Sequence, residues 1–366
     1  MQGRVNKMVG TNKLTTRERV SRMFDHKEAD RIPVYDEPWG STIERWRREG
    51  MPGGVSYIDY FGLDNIVGVG VDNSPRYPTQ VLEQTEDYRI HTTAWGATLK
   101  DWKHIGGVPE FLDFKVKDRI SWQEAKARMA PDPDRIPWEH LKNNYACWRN
   151  EGAWIQGHLW FGFDVTHSWT VGTERILMAL IEDPDWCMDM FNHFLDVDLA
   201  LMQQVLDAGY TFDSVTWPDD MGYKHNQFFS VKTYRKLLKP FHKRAVDWAH
   251  ERGIKVRLHS CGDVNPFIPD LLEIGIDALN PLEVKAGIDP IHIKNSFGDR
   301  LTLHGGINAV LYTDPDALDA EMRSVIPQLK KDGGYIFSTD HSVPDSVSLE
   351  QFRHVVELAK ELGSYE

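Results

Sequence analysis

Residues 230–262, SVKTYRKLLKPFHKRAVDWAHERGIKVRLHSCG, decide how the chain folds. Ser230 is suited to cap a helix, and Tyr234, Leu237, Phe241, Ala245 and Trp248 then recur at helical spacing. Gly253 ends that helix and residues 255–258 form a short strand. The same helix–Gly–strand unit stands on both sides. Upstream, Asp183-Pro184 opens a helix carrying Trp186, Met190, Phe194, Val197, Leu201 and Val205; Gly209 closes it and a strand runs to Trp217. Downstream, a helix over 265–274 leads through Gly275 to a strand at 277–280. A helix over 289–297 leads through Gly298 to a strand at 301–303. Asp314-Pro315 opens the next helix, Gly333-Gly334 ends it, and 335–338 is a strand. Ser348 with Gln351 caps a last helix that stops near Gly363. Consecutive units of this kind demand a parallel sheet covered by helices.

The first half is less regular. Thr15 with Glu18 opens a helix, and residues 32–35, 65–71 and 154–159 read as strands. Residues 88–93 and 97–102, joined by Ala94-Trp95-Gly96, read as a hairpin outside the parallel sheet. Strands then fall near residues 33, 68, 156, 214, 257, 279, 302 and 336, and eight is the number that closes a (β/α)8 TIM barrel. The expected architecture is α/β: one barrel domain over residues 1–366, with a flexible tail at 1–12. A hairpin and helical insertion at 75–150 is expected to lie over the barrel mouth. An open dinucleotide-binding sheet is the alternative, and it is disfavoured because Gly68-Val69-Gly70-Val71-Asp72-Asn73 lacks the third glycine and lies inside a strand.

Composition narrows the function. Over 366 residues, 42 Lys+Arg against 55 Asp+Glu leave a net charge of −13, which disfavours nucleic acid and anionic membranes as partners. Three cysteines, Cys147, Cys187 and Cys261, are too few for a disulfide scaffold and suit a reducing cytoplasm. The longest strictly apolar run, 176–181, is far short of the roughly 20 residues that span a bilayer.

Barrel enzymes place their chemistry at the C-terminal ends of the strands. Here those ends carry Asp36-Glu37, Asp72, His158 with Trp160, Asp219-Asp220, His259-Ser260-Cys261, Asn280 with Glu283, His304 to Asn308, and Asp340-His341. His259 and Cys261 stand at i and i+2, so on an extended chain both face the barrel mouth. Imidazole and thiolate together suit a borderline-soft ion such as zinc. The plainer alternative is a structural cysteine beside a hydrogen-bonded histidine. His341 is the expected third metal ligand, with Asp340 or Glu283 as substitutes. Asp219 and Asp220 are a candidate acid–base pair, or ordinary turn and capping residues. Glu283 is a candidate catalytic group, a support for His259, or a rim salt bridge. In His304-Gly305-Gly306-Ile307-Asn308, backbone N–H groups are candidates for holding an anionic substrate, against the reading of a tight turn. Asp36, Asp72, His158, His304 and Asn308 complete the expected substrate-binding set. Trp39, Trp160 and Trp217 are candidate walls for a flat or apolar substrate, against helix–barrel packing.

These residues resemble the uroporphyrinogen decarboxylase superfamily, and in particular its divergent, methyltransferase-like branch. The resemblance rests on Thr15-Thr16-Arg17-Glu18-Arg19 before Asp30-Arg31-Ile32-Pro33-Val34, on Asp219-Asp220, and on Leu258-His259-Ser260-Cys261-Gly262-Asp263-Val264. His304-Gly305-Gly306-Ile307 and Ser338-Thr339-Asp340-His341 add to it. The decarboxylase proper is cofactor-free and binds a tetrapyrrole's carboxylates through arginines in an N-terminal loop. The corresponding stretch here, Tyr35-Asp36-Glu37-Pro38-Trp39-Gly40, is acidic. The methyltransferase branch implies His-x-Cys plus a distant ligand, commonly Cys, holding zinc; here His341 stands where that Cys is expected. The resemblance therefore implies a zinc-dependent methyltransferase or demethylase. It would move a methyl group between a small methylated substrate, such as a methoxylated aromatic, and a corrinoid carried by a partner protein. A carboxylic acid among Asp219 and Asp220 would protonate the leaving group. The alternatives are a cofactor-free decarboxylase and a metal-binding barrel without turnover. A homodimer is the default assembly for such an enzyme.

Overall fold

The structure, a computed structural model, describes residues 13–103 and 107–365; the expected tail at 1–12 lies outside the described residues. A curled parallel sheet of seven strands forms its centre: β1 (Ile66–Gly70), β2 (Trp154–His158), β3 (Ser214–Pro218), β4 (Lys255–His259), β5 (Ala278–Asn280), β6 (Thr302–His304) and β7 (Tyr335–Ile336). Their order in the sheet is their order in the chain, and every pairing is parallel. Each parallel step needs a crossover, and the helices of the predicted units supply them.

The eighth expected strand, near residue 33, is reduced to bridges. Val34 pairs with Phe337 in parallel beyond β7, and its backbone also bonds to Asp64 ahead of β1. Pro33 and Pro38 carry no N–H donor, so this segment cannot build a continuous ladder. A sheet of seven strands plus a bridged segment therefore replaces the expected eight.

The helices begin where their caps predict. Thr15 and Glu18 form a reciprocal capping box on Thr16–Phe24, and the Asp183 side chain accepts from Trp186 N at the head of the 24-residue helix Pro184–Asp207. The apolar stripe read from that helix, Trp186 through Val205, is buried against the sheet. The helix expected over 231–252 is broken at Leu238 into Val231–Leu237 and Lys239–His250, because Pro240 cannot donate within a continuous helix.

The insertion is larger than a hairpin. Tyr88–Thr92 and Ala97–Trp102 pair as expected around Gly96, whose φ of +95° only glycine adopts easily. Val81–Gln84 and Glu110–Phe114 extend them to a four-stranded antiparallel sheet. Both added strands are highly exposed, so neither shows the apolar alternation that reveals a strand in sequence. Among the described residues no helix is long and apolar enough to cross a membrane.

Candidate functional site

Strand β4 sets the site. Val256 and Leu258 are buried on its outer face, so Arg257 and His259 turn toward the lumen. Beyond the strand, Ser260 N donates to Asn280 O, and Ser260 Oγ accepts from Met221 N. The chain then reverses at Gly262, where φ is +80° and a Cβ would lie 2.2 Å from the Gly222 backbone carbon. Only glycine fits there. Gly262 N donates to Glu283 Oε2 at 2.6 Å, and Cys261 N donates to Asp220 Oδ1 at 2.7 Å. The reversal brings Cys261 Sγ to 3.5 Å from His259 Nε2, with Asp220 Oδ1 at 3.8 Å from the same nitrogen. One donor atom from each of Asp220, His259 and Cys261 lies within 4.8 Å of the others.

The tautomer of His259 follows from its other nitrogen. Nδ1 lies 2.6 Å from Asn280 Oδ1, and the Asn280 amide is oriented by its own donation to His304 O at 3.2 Å. An amide oxygen can only accept, so Nδ1 carries the proton and the Nε2 lone pair faces Cys261 and Asp220. That is how proteins aim histidine ligands at metals.

The field around the cluster is negative. Burial, followed by the charges of Asp220, Glu283 and Asp164, pushes the Cys261 thiol well above its usual range, with Lys285 opposing. Burial and Asp164 likewise raise the Asp220 carboxyl, with His259 opposing. A divalent cation would reverse both shifts, because the thiolate and carboxylate it stabilises are the forms the bare site disfavours. An imidazole nitrogen, a sulfur and a carboxylate oxygen in a negative pocket therefore fit a zinc-like ion.

The cluster opens onto a cavity of about 220 Å³ also lined by Tyr35, Asp36, Trp39, Arg257 and His341. Val108 of the inserted segment reaches it as well. A larger groove, about 810 Å³, runs between the inserted sheet and helix Thr173–Glu182. Its Arg119 is already ion-paired to Asp183, and it holds no ligand cluster among the described residues.

Several expected site residues take other places. His341 lines the cavity but stands outside the three-residue cluster, its ring 6.1 Å from that of Trp39; Asp220 takes the third position. Asp340 is fully buried and spends its carboxylate on Val284 N and Ala309 N. Asp219 and Asp220 part company. Asp219 is 0 % exposed and accepts from His242 Nε2 at 2.7 Å and Asp164 N at 2.8 Å on the outer face, away from the cavity. Trp217 shares that face, packed on Phe161 and His242, and does not line the cavity. Trp160 packs with Trp95 and Trp169 under the insertion. Asp72 is bound to Arg76 and Ser74 and does not line the cavity.

Glu283 supports the Cys261 loop through Gly262 and bonds to Lys285 at 3.2 Å, while the partner of His259 is Asn280. Gly305 N and Gly306 N are bonded to Ile336 O and Pro281 O, and Asn308 N to Glu321 Oε1, so these amides are already engaged. Asn308 caps its own helical turn by accepting from Val310 N. His304 meets Arg257 at 2.9 Å. His158 is exposed at the end of β2 and does not line the cavity of about 220 Å³. Asp36 does line the cavity; its carboxylate accepts from Thr339 N and Oγ1, yet burial pushes it up to about 7. Arg257 is the contributor that sequence reading missed, and Asn280, named there at its strand end, was given no role. A signal existed for Arg257: a cation between the apolar Val256 and Leu258, in phase with His259.

Comparison with known proteins identifies the family and the fold. The family model described as uroporphyrinogen decarboxylase (URO-D) matches residues 166–362, more than half of the chain and the stretch that holds the cluster. The uroporphyrinogen decarboxylase of Vesicomyosocius okutanii is 24% identical over 161 residues, covering 43% of each chain. That of Methylococcus capsulatus is 22% identical over 194 residues, covering 52% of each. The chain thus matches about half the length of these curated relatives. A solved structure of a methyltransferase from Methanosarcina mazei superposes with a TM-score of 0.66 at 16% identity, covering 95% of this chain and 99% of that one, which establishes a shared fold. The chain belongs to the uroporphyrinogen decarboxylase family.

Proposed function

We propose that the protein is a zinc-dependent methyltransferase or demethylase of this family, moving a methyl group between a small methylated compound and a corrinoid held by a partner protein. The observation that carries the reading is the convergence of Asp220, His259 and Cys261, with the His259 lone pair aimed by Asn280. These three residues would hold the ion. A bound zinc supplies a Lewis acid that polarises a heteroatom of the substrate. Glu283 and Asp220 hold the backbone of the Cys261 loop in register with β4. Asp36, whose carboxyl keeps its proton up to about 7, is the group suited to protonating a leaving oxygen. Asp219, engaged with His242, is removed from that role.

A cavity of about 220 Å³ suits a small substrate rather than a tetrapyrrole, since even drug-sized ligands occupy roughly 300–1,000 Å³. The acidic N-terminal stretch also speaks against uroporphyrinogen decarboxylation.

Elemental analysis of purified protein, with methyl transfer followed by the absorbance of an added corrinoid protein, tests the reading. About one zinc per chain is expected, lost together with activity in His259→Ala plus Cys261→Ala. Undiminished turnover by metal-free protein would overturn it, and release of carbon dioxide from uroporphyrinogen would replace it with decarboxylation.

A further inference from the structure

Among the described residues, Arg257 is an arginine of the cavity wall with no ion-pair partner. Only 8 % of it is exposed, and among the described residues no carboxylate lies within 4.0 Å of its guanidinium. Its hydrogen bonds go to neutral groups: Nη1 to His304 Nδ1 at 2.9 Å and Nε to Thr216 Oγ1 at 3.3 Å. Arginine is donor-only, so His304 must accept, and its Nδ1 lone pair is consumed. Nη2 has no hydrogen-bond partner among the described residues, and the side chain lines the cavity. Glu37, the nearby acid, is held by the Tyr35 hydroxyl at 2.7 Å.

The other deeply buried arginines are treated differently. Arg19 is gripped by Asp30 and Asp64. Arg135 donates to the carbonyls of Asp72, Ser74 and Arg128. A buried cation left without an anion is costly, and proteins pair or saturate it. At Arg257 the missing anion faces the cavity.

We propose that Arg257 is a carboxylate subsite, and that the substrate is a small monocarboxylate. Its carboxylate takes the open edge of the guanidinium, where the planar fork matches two oxygens. Its reacting end lies at the Asp220–His259–Cys261 cluster. Because Arg257 and His259 are two residues apart on one strand, their side chains rise about 7 Å apart, which sets the spacer at roughly one aromatic ring or a short aliphatic chain. The placement of the reacting end rests on the metal reading above; the anion subsite does not.

Calorimetric titration tests it with benzoate and butyrate as probes, and benzamide and butyramide as their neutral counterparts, at matched ionic strength. At least one carboxylate should bind wild-type protein, with its amide about tenfold weaker or worse. Arg257→Met should weaken the carboxylate about tenfold to a hundredfold and leave the amide unchanged. Arg257→Lys, which keeps the charge without the fork, should lose part of the affinity and serves alone if the Met variant does not fold. His259→Ala plus Cys261→Ala should still bind the carboxylate. Equal binding of carboxylate and amide, no binding of either carboxylate, or wild-type affinity in the Arg257 variants would overturn the subsite. Zinc measured on the same samples separates the two readings. Carboxylate binding that follows zinc rather than Arg257 overturns the subsite alone, whereas Arg257-dependent binding in protein that never holds zinc overturns the metal alone.

Discussion

Two strand ends in this molecule look alike on paper and do opposite things. After β4 comes His259-Ser260-Cys261-Gly262; after β6 comes His304-Gly305-Gly306-Ile307-Asn308. Each begins with histidine and turns on glycine with positive φ. After β4, the backbone amides of Cys261 and Gly262 are satisfied by carboxylates from neighbouring strand ends, Asp220 and Glu283. The side chains of His259 and Cys261 are then left with unspent lone pairs facing the cavity. After β6, Gly305 N and Gly306 N donate to the carbonyls of Ile336 and Pro281 and Asn308 N donates to Glu321 Oε1, while the side chains are spent: His304 is tied to Arg257 and Asn308 caps the next turn. A strand end becomes a candidate site when groups from elsewhere meet its backbone needs and release its own side chains. The β6 end has its backbone met from elsewhere too, but its side chains are already committed to Arg257 and to a cap, and it serves as scaffold.

The largest expected effect compares the two glycine turns. At Gly305 a Cβ would lie 2.0 Å from Pro281 O, as severe as the clash at Gly262. Gly262→Ala and Gly305→Ala should each cost about 1–3 kcal/mol or more in urea denaturation. Only Gly262→Ala should also empty the cluster of zinc. Equal zinc content in the two variants would break the comparison.

Next comes the partner of His259. Asn280→Ala removes the acceptor at 2.6 Å that sets the tautomer, and zinc affinity in a competition titration should fall about tenfold to a hundredfold with little change in fold. Wild-type affinity would mean that the ring is aimed by packing alone.

The pH dependence of stability is smaller and its sign follows from burial. Asp36 is pushed up to about 7 and Asp198 to about 8, whereas an unfolded aspartate titrates near pH 4. The folded chain therefore holds protons that the unfolded chain releases. Stability from these groups is complete below pH 4 and declines as pH rises through 7 to 8. The slope is at most about 1.4 kcal/mol per pH unit for each group. Asp36→Asn should flatten the decline between pH 5 and 7 in denaturant melts, and should remove the fall of methyl-transfer activity above pH 7. A wild-type profile in both measurements would strip Asp36 of its proton.

The smallest effect belongs to the β6 end. Asn308→Ala loses a cap worth about 1 kcal/mol and should leave zinc content and carboxylate binding at wild-type values. Loss of either would show that this turn takes part in the site after all.

Much of this was legible because it is local. Capping at Thr15, Asp183, Ser230 and Ser348, with helical spacing between, located the helices, and their alternation with short apolar strands required a parallel sheet. The phase of β4 likewise placed His259 and Cys261 on the lumen side. The same rule of two, counted from the buried Trp217, separates Asp219 from Asp220, since Trp217 and Asp219 share the outer face. The exposed strands of the insertion carried no such signal.

What the chain could not declare from its own order is which distant groups meet. Asp220 rather than His341 completes the cluster, because register places the ends of β3 and β4 side by side. Asn280 aims His259 because β5 pairs Asn280 with it across the ladder. Arg257 lacks an anion because the strands around it bring Thr216 and His304 within reach instead of a carboxylate. Periodicity and capping act over a few residues and survive in a one-dimensional reading. Ligation, tautomer and an unpaired charge depend on distances of a few ångströms between residues up to forty-seven positions apart, and only the packed sheet sets those.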